Sequence, residues 1–284
     1  MINKKIIVIG SSGFIGTNLC NKLKKNKLKF KSLSTKNCDL LKSSSVKYLK
    51  KNIKRNDIVV FVSAIAPCKN IHELTKNLDM LTPLLELSKT IKLSQIIYIS
   101  SDAVYKDTIK KINENSTVEP NSIHGLMHQI RENILSLTFK KIIAIVRPTL
   151  VYGALDTHNG YGPNLFARKA LKNEDIKIFG NGEEIRDHVL VDDVVDLIFN
   201  IIVKKHNGIF NAVSANPVSF LDLAKLIIKR LKSKSKIVRI KRNGPMPHNG
   251  FRCFGRKNIK KKFPSLIPTP YRHGINDLKE IRKL

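Results

Sequence analysis

The stretch Lys5-Ile-Ile-Val-Ile-Gly10-Ser-Ser-Gly13-Phe-Ile-Gly16 leaves this chain few folds to choose from. Ile6 to Ile9 is an unbroken apolar run, which predicts a parallel strand buried on both faces. Three glycines follow at spacings of three, and from Phe14 the apolar residues recur at helical spacing (Phe14, Ile15, Leu19, Leu23). Strand, glycine turn and helix N-terminus together make an anion site. Glycine lets the backbone approach a pyrophosphate, and free N–H groups and the helix dipole favour its charge. An ordinary tight strand–helix turn could use the same residues. The motif's place in a strand–turn–helix at the head of the chain favours dinucleotide binding, with Gly10, Ser12, Gly13, Phe14, Ile15 and Gly16 as contacts.

The 284 residues, 42% of them hydrophobic, can bury a core as one large or two coupled domains. No run approaches the ~18 consecutive apolar residues of a membrane span, and the immediate entry into a strand leaves no room for a signal peptide. Membrane insertion is therefore not expected, and a cytoplasmic location is. Cys20, Cys38, Cys68 and Cys253 lie far apart, which indicates neither a disulfide framework nor a zinc site. His72, His158, His206 and His273 have no metal spacing, so no metal is expected. The net charge of +30 invites a nucleic-acid reading, but Lys is spread along the whole chain, Trp is absent and aromatics make up 6%. A specific nucleic-acid surface would cluster its cations and interleave aromatics. The charge promotes non-specific attraction only, and it would also draw in anionic small molecules.

After a second strand over Leu28–Leu33 comes Ser34-Thr35-Lys36. An NAD-selective turn usually places a carboxylate here for the ribose hydroxyls. Two hydroxyls and a cation suit a 2′-phosphate better, so Ser34 and Lys36 tilt the choice between NADP and NAD towards NADP; a plain solvated loop is the alternative. Further buried strands are expected over Asp57–Ser63 and Gln95–Ser100, with one helix over Ile71–Ile91. Four motifs then follow in order: Ser100-Ser101-Asp102-Ala103-Val104-Tyr105, Pro120-Asn-Ser122-Ile-His124-Gly125-Leu-Met-His128-Gln-Ile-Arg-Glu132, Arg147-Pro148-Thr149-Leu-Val151-Tyr152-Gly153 and Arg186-Asp187-His188-Val-Leu-Val191-Asp192-Asp193-Val194.

Over residues 4 to 252 this series resembles the extended short-chain dehydrogenase/reductase superfamily, in its nucleotide-sugar epimerase/dehydratase branch. The resemblance implies an α/β fold: a doubly wound parallel Rossmann sheet with a smaller C-terminal α/β substrate-binding region. Residues 1–152 plus 187–213 would form the dinucleotide domain, and 153–186 plus 214–284 the substrate domain. It places Asp39 and Leu40 at the adenine, Ala64 and Pro148 beside the cofactor, and Ser101 as the catalytic hydroxyl; a cap on the strand end is the alternative for Ser101. His124 stands where the family has its catalytic Tyr and His128 where it has Lys, and no Tyr-x-x-x-Lys occurs elsewhere. Imidazole, with a pKa near ~6.5, needs no neighbouring cation to act near neutrality. His124 is thus expected as the general acid/base, titrating near ~6–7, with His128 on the nicotinamide ribose. Asn164, Arg168, Arg186 and Arg252 would hold the substrate, Arg186 on its phosphates.

The implied activity is that of an NAD(P)-dependent epimerase or ketoreductase on a nucleotide-diphospho-sugar, in surface-polysaccharide sugar synthesis. A 4,6-dehydratase fits less well, since Asp102-Ala103 replaces the usual Asp-Glu. A cofactor-binding sensor without turnover is the rival reading, supported by the loss of both Tyr and Lys. A homodimer is left open.

Overall fold

The computed structural model describes residues 4–281. The described residues divide into two compact units: 4–106 with 116–147 and 195–210, and 107–115 with 148–194 and 211–281.

The first unit alternates strand and helix: β1 (Ile6–Ile9), α1 (Phe14–Lys25), β2 (Phe30–Leu33), α2 (Ser44–Asn52), β3 (Ile58–Phe61), α3 (Ile71–Asp79), α4 (Thr82–Ser88), β4 (Gln95–Ile99), α5 (Ile123–Phe139) and β5 (Ile143–Pro148). Strands β2-β1-β3-β4-β5 are parallel neighbours in that order, with Ile6 opposite both Phe30 and Ile58, and Ile58 opposite Gln95. β1, β3, β4 and β5 are buried throughout, as double-sided parallel strands must be. Side chains alternate between the two faces, so Ile7, Ile9, Val59, Phe61, Ile96, Tyr98, Ile143 and Ile145 share one face. That face packs on Leu49 of α2, Leu84 and Leu87 of α4, and Leu135 and Phe139 of α5. Parity thus turns the hydroxyl-bearing Tyr98 towards α5. The single helix expected over Ile71–Ile91 is in fact two. Pro83, in the first turn of α4, has no N–H to continue the preceding ladder, and it starts a new helix instead.

The second unit carries β6 (Leu150–Tyr152), α6 (Pro163–Leu171), β7 (Ile176–Phe179), β8 (Ile185–Arg186) and β9 (His188–Leu190). α7 (Val191–Lys204) leads back to β10 (Gly208–Ala212), which joins the large sheet beside β5. β11 (Val218–Ser219), α8 (Phe220–Leu231), β12 (Ile237–Ile240) and β13 (Phe251–Arg252) complete the C-terminal α/β region. Its small sheets are β11-β8-β13, β12-β7 and β6-β9. Ser219 caps α8, its Oγ accepting from Asp222 N–H at 3.0 Å. The core gathers Phe166, Ile176, Ile178, Phe220, Leu223, Ile227, Ile275 and Leu278. Among the described residues no helix is long and apolar enough to cross a membrane, no group of three or more metal-ligating side chains forms, and all four cysteines are free.

One polar ring sits in this second core. His188 is 1% exposed, lies edge-on to Phe220 at 5.6 Å, and finds no partner for either nitrogen. Burial, helped by the nearby Arg186, pushes its pKa down to about 3. Unfolded His titrates near ~6.5, so between these values the unfolded chain binds the extra proton and folding weakens as pH falls. His188→Phe is expected to cut the loss of stability between neutral pH and pH ~5 by about 2 kcal/mol. Denaturant titrations at the two pH values measure this, and an undiminished pH effect in the variant would contradict it.

Candidate functional site

The chain leaves β1 outward to β2 and then crosses back to β3 on the other side of β1, so the strand order reverses between β1 and β3. Ligands of open α/β sheets bind outside the carboxyl ends of the strands at such a point. Here the turn after β1 meets the end of β3. Gly10 has φ +93, and a Cβ on it would lie 2.6 Å from Ser63 N; one on Gly16 would lie 2.1 Å from Gly10 O. Both positions require glycine. Gly13 precedes α1 with extended backbone, no side-chain cap and no acidic residue in the first turn. The nearest atom to a Cβ there would be Gly10 O at 3.5 Å, so its approach is clear of protein. A close backbone turn before an uncapped helix N-terminus fits a pyrophosphate, and with it a dinucleotide. Ser12 is exposed and Phe14 and Ile15 half-buried beside it.

Two loops border this turn, one after β2 and one after β3. Lys36 is exposed, and the Asn37 side-chain Oδ1 closes the turn by accepting from Ser34 N–H at 2.9 Å. Asp39 Oδ1 accepts from Leu41 N–H at 3.1 Å, with Leu40 buried beside it. After β3 the chain through Ala64 is held by Asn77 of α3, whose buried amide accepts from Ile65 N–H at 2.9 Å and donates to Ile65 O at 3.0 Å. Pro148 ends β5, buried.

The second element is α5. Ser122 caps it by accepting from Gly125 N–H at 3.1 Å, which places His124 in the first turn and His128 one turn on, on the same face. Their rings meet edge-on, 4.7 Å between centroids. His124 Nδ1 accepts from the backbone N–H of Cys68 at 3.3 Å. A neutral ring that accepts at Nδ1 carries its proton on Nε2. Burial holds the His124 pKa below the ordinary range, with Asp102 opposing it. His128 is 4% exposed, with Nδ1 2.7 Å from the Tyr98 hydroxyl. Burial first, then His124 and Arg131, lower its pKa well below the usual value. Ser101 caps the 3₁₀ turn Asp102–Val104, its Oγ accepting from Ala103 N–H at 3.1 Å.

Two motif residues prove to be structural. Glu132 of α5 takes Arg147 Nε at 2.9 Å and Nη2 at 2.5 Å, and its Oε1 also accepts from the Ser100 hydroxyl at 2.5 Å. This buried bidentate pair ties α5 to β4 and β5.

The four residues expected to hold substrate lie in the second unit, and all are bonded within it. Asn164 donates to Asp156 Oδ2 at 2.8 Å and accepts from Gly153 N–H at 3.1 Å. Arg168 donates to the carbonyls of Asp156 and His158 at 2.5 and 2.9 Å. Arg186 donates to Pro247 O at 2.6 Å, and Arg252 to Asp107 Oδ1 at 2.7 Å, where His248 also bonds. Arg186 and Arg252 thus converge on the Pro247–Gly250 segment, whereas Arg168 braces the loop 156–159.

Sequence reasoning missed Tyr98, Arg131 and the Cys68 amide. Counting β4 parity and the three-residue step from His128 to Arg131 could have found the first two. A backbone donor far along the chain leaves no such trace.

A profile of the NAD dependent epimerase/dehydratase family matches residues 6–212. An uncharacterized UDP-glucose epimerase, YtcB of Bacillus subtilis, is 26% identical over 260 residues, spanning 78% of this chain and 81% of that protein. A GDP-6-deoxy-D-talose 4-dehydrogenase of Aggregatibacter actinomycetemcomitans is 26% identical over 210 residues, 70% of each chain. The crystal structure of UDP-glucuronic acid 4-epimerase from Bacillus cereus, in complex with UDP-glucuronic acid and NAD, superposes with TM-score 0.82 at 21% identity. It covers 97% of this chain and 98% of the other.

Proposed function

Because the chain belongs to the NAD dependent epimerase/dehydratase family, we propose that it binds a nicotinamide dinucleotide at the glycine turn and reduces a keto group on a nucleotide-diphospho-sugar. The observation that carries the choice of reduction is the bond from Cys68 N–H to His124 Nδ1. It leaves His124 with a donor, not a lone pair, at Nε2.

The dinucleotide, when bound, supplies a hydride to the carbonyl carbon. Negative charge then develops on the carbonyl oxygen, and a preplaced N–H donor stabilises it. His124 Nε2–H is that donor, and water supplies the proton that completes the alcohol. The same path run backwards oxidises the alcohol with its proton passing to water, so the supply of keto-sugar and reduced dinucleotide sets the direction. What this tautomer lacks is a base at Nε2 to take a proton directly from an alcohol. A ketoreductase starts from the carbonyl and an epimerase from the alcohol, so reduction is the better fit. In this reading Ser101 orients the sugar, His128 faces the nicotinamide ribose, and Arg186 with Arg252 exchanges a chain contact for the diphosphate. The relationship to a GDP-6-deoxy-D-talose 4-dehydrogenase, an oxidoreductase by name, supports the same class of reaction.

The test is oxidation of NADPH or NADH by a 4-keto-sugar nucleotide with the purified chain, followed by loss of nicotinamide absorbance. Turnover is expected with both and faster with NADPH, and Lys36→Ala is expected to erase the difference. Tight dinucleotide binding without oxidation on any such substrate would favour a cofactor-binding regulator instead. One observation points that way: Ser101 Oγ already serves as a cap.

A further inference from the structure

Arg131 of α5 is fully buried, yet no carboxylate pairs with it among the described residues. Its Nη2 donates to Ser63 O at 2.9 Å, Nη1 lies 3.9 Å from Met127 Sδ, and Nε has no partner. The guanidinium sits over the rings of Phe61 at 4.7 Å and Tyr98 at 5.2 Å. Aromatic faces and one carbonyl offset only part of the cost of burying a charge. A Met or Leu would fill the same space without that cost, so the charge must act on something within reach.

Two groups qualify. Burial keeps the Tyr98 phenol protonated, with Arg131 the nearest cation bearing on it. A cation attracts the phenol oxygen and repels its proton. The O–H therefore points away from the guanidinium, towards His128 Nδ1 at 2.7 Å. The same charge opposes a second proton on His128. A ring that accepts at Nδ1 and stays neutral holds its single proton on Nε2.

We propose that Arg131 is a positioning residue: acting through Tyr98, its guanidinium holds His128 as the Nε2–H tautomer, the form that the Cys68 amide imposes on His124. Both rings then offer N–H donors from one helix face, and neither offers a lone pair at Nε2. Arg131 also fixes Ser63, the residue whose backbone makes glycine obligatory at position 10, so one side chain sets both imidazole state and cofactor turn. The significance for catalysis rests on the reductase reading; the tautomer itself exists without substrate.

NMR of the full chain with isotope-labelled histidine distinguishes Nδ1–H from Nε2–H by the ring nitrogen shifts. Wild type is expected to show both His124 and His128 as Nε2–H. In Arg131→Met, His128 is expected to lose its single form and become a mixture of both tautomers, while His124 is unchanged. Tyr98→Phe keeps the guanidinium and removes the relay, and it is expected to give the same mixture; it decides the matter if Arg131→Met does not fold. A His128 that is Nδ1–H in wild type, or that stays purely Nε2–H in either folded variant, overturns the proposal. The expected tautomers without keto-sugar reduction would sink the reductase reading alone, and reduction with unaltered tautomers would sink this proposal alone.

Discussion

His124→Phe is expected to lower keto-sugar turnover by roughly 10²–10³-fold, with dinucleotide binding retained. Phenylalanine keeps the ring in the first turn of α5 but removes the Nε2–H donor, which leaves the developing charge on the sugar oxygen without it. His124→Tyr is not expected to restore the rate. A phenol near pKa ~10 needs a cation beside it to work at neutral pH, and position 128 offers a neutral imidazole. The pH dependence follows from the same ring. The working form of His124 is neutral, and burial holds its pKa below the usual value. Turnover should therefore be level through neutrality and fall only on the acid side, when a second proton at Nδ1 breaks the bond from Cys68 N–H and the ring loses the contact that aims Nε2–H. This moves the titration below the ~6–7 expected of an ordinary imidazole. Steady-state rates against pH, with the Phe variant in parallel, measure both effects; full activity in the variant would remove His124 from the chemistry.

Glu132→Ala is expected to cost about 3–5 kcal/mol of folding stability. Arg147 is 2% exposed, and its Nη1 is already without a partner. Removing Glu132 would strand the remaining charge against the Tyr105 ring, 4.7 Å away, and leave the Ser100 hydroxyl without its acceptor. Removing both charges together is milder, because well-packed apolar replacements of a buried pair are often near neutral. Urea unfolding should thus find Glu132→Ala/Arg147→Met more stable than Glu132→Ala. A single variant within about 1 kcal/mol of wild type would show that the pair is solvated after all.

The parallel sheet and the glycine turn could be read from the chain because each rests on local signals. Ile6–Ile9 and Ile58–Phe61 are apolar runs bounded by turns, and Gly10 and Gly16 answer to contacts made within a few residues or one neighbouring strand. Pairing of His124 with His128 follows from helical spacing alone. Their states do not. These depend on Cys68, 56 residues away from His124, and on Tyr98, 30 away from His128, and no periodicity in the chain encodes such distances. The arginines show a different limit. The resemblance places Arg186 on the phosphates and Arg252 on the substrate, and without a ligand both bond to the chain around residues 107 and 247. A motif names the side chain that can grip an anion, but not what it grips at rest.

The donor that fixes His124 belongs to a peptide group, not to a side chain. Side-chain substitution at position 68 leaves this donor in place, since nineteen of the twenty residues bring the same N–H. Only proline lacks it. A control of this kind drifts freely in sequence while staying constant in space, so the identity of Cys68 carries no information about it. What has to be preserved is the path of the loop, set by the Asn77 amide on Ile65 three residues earlier.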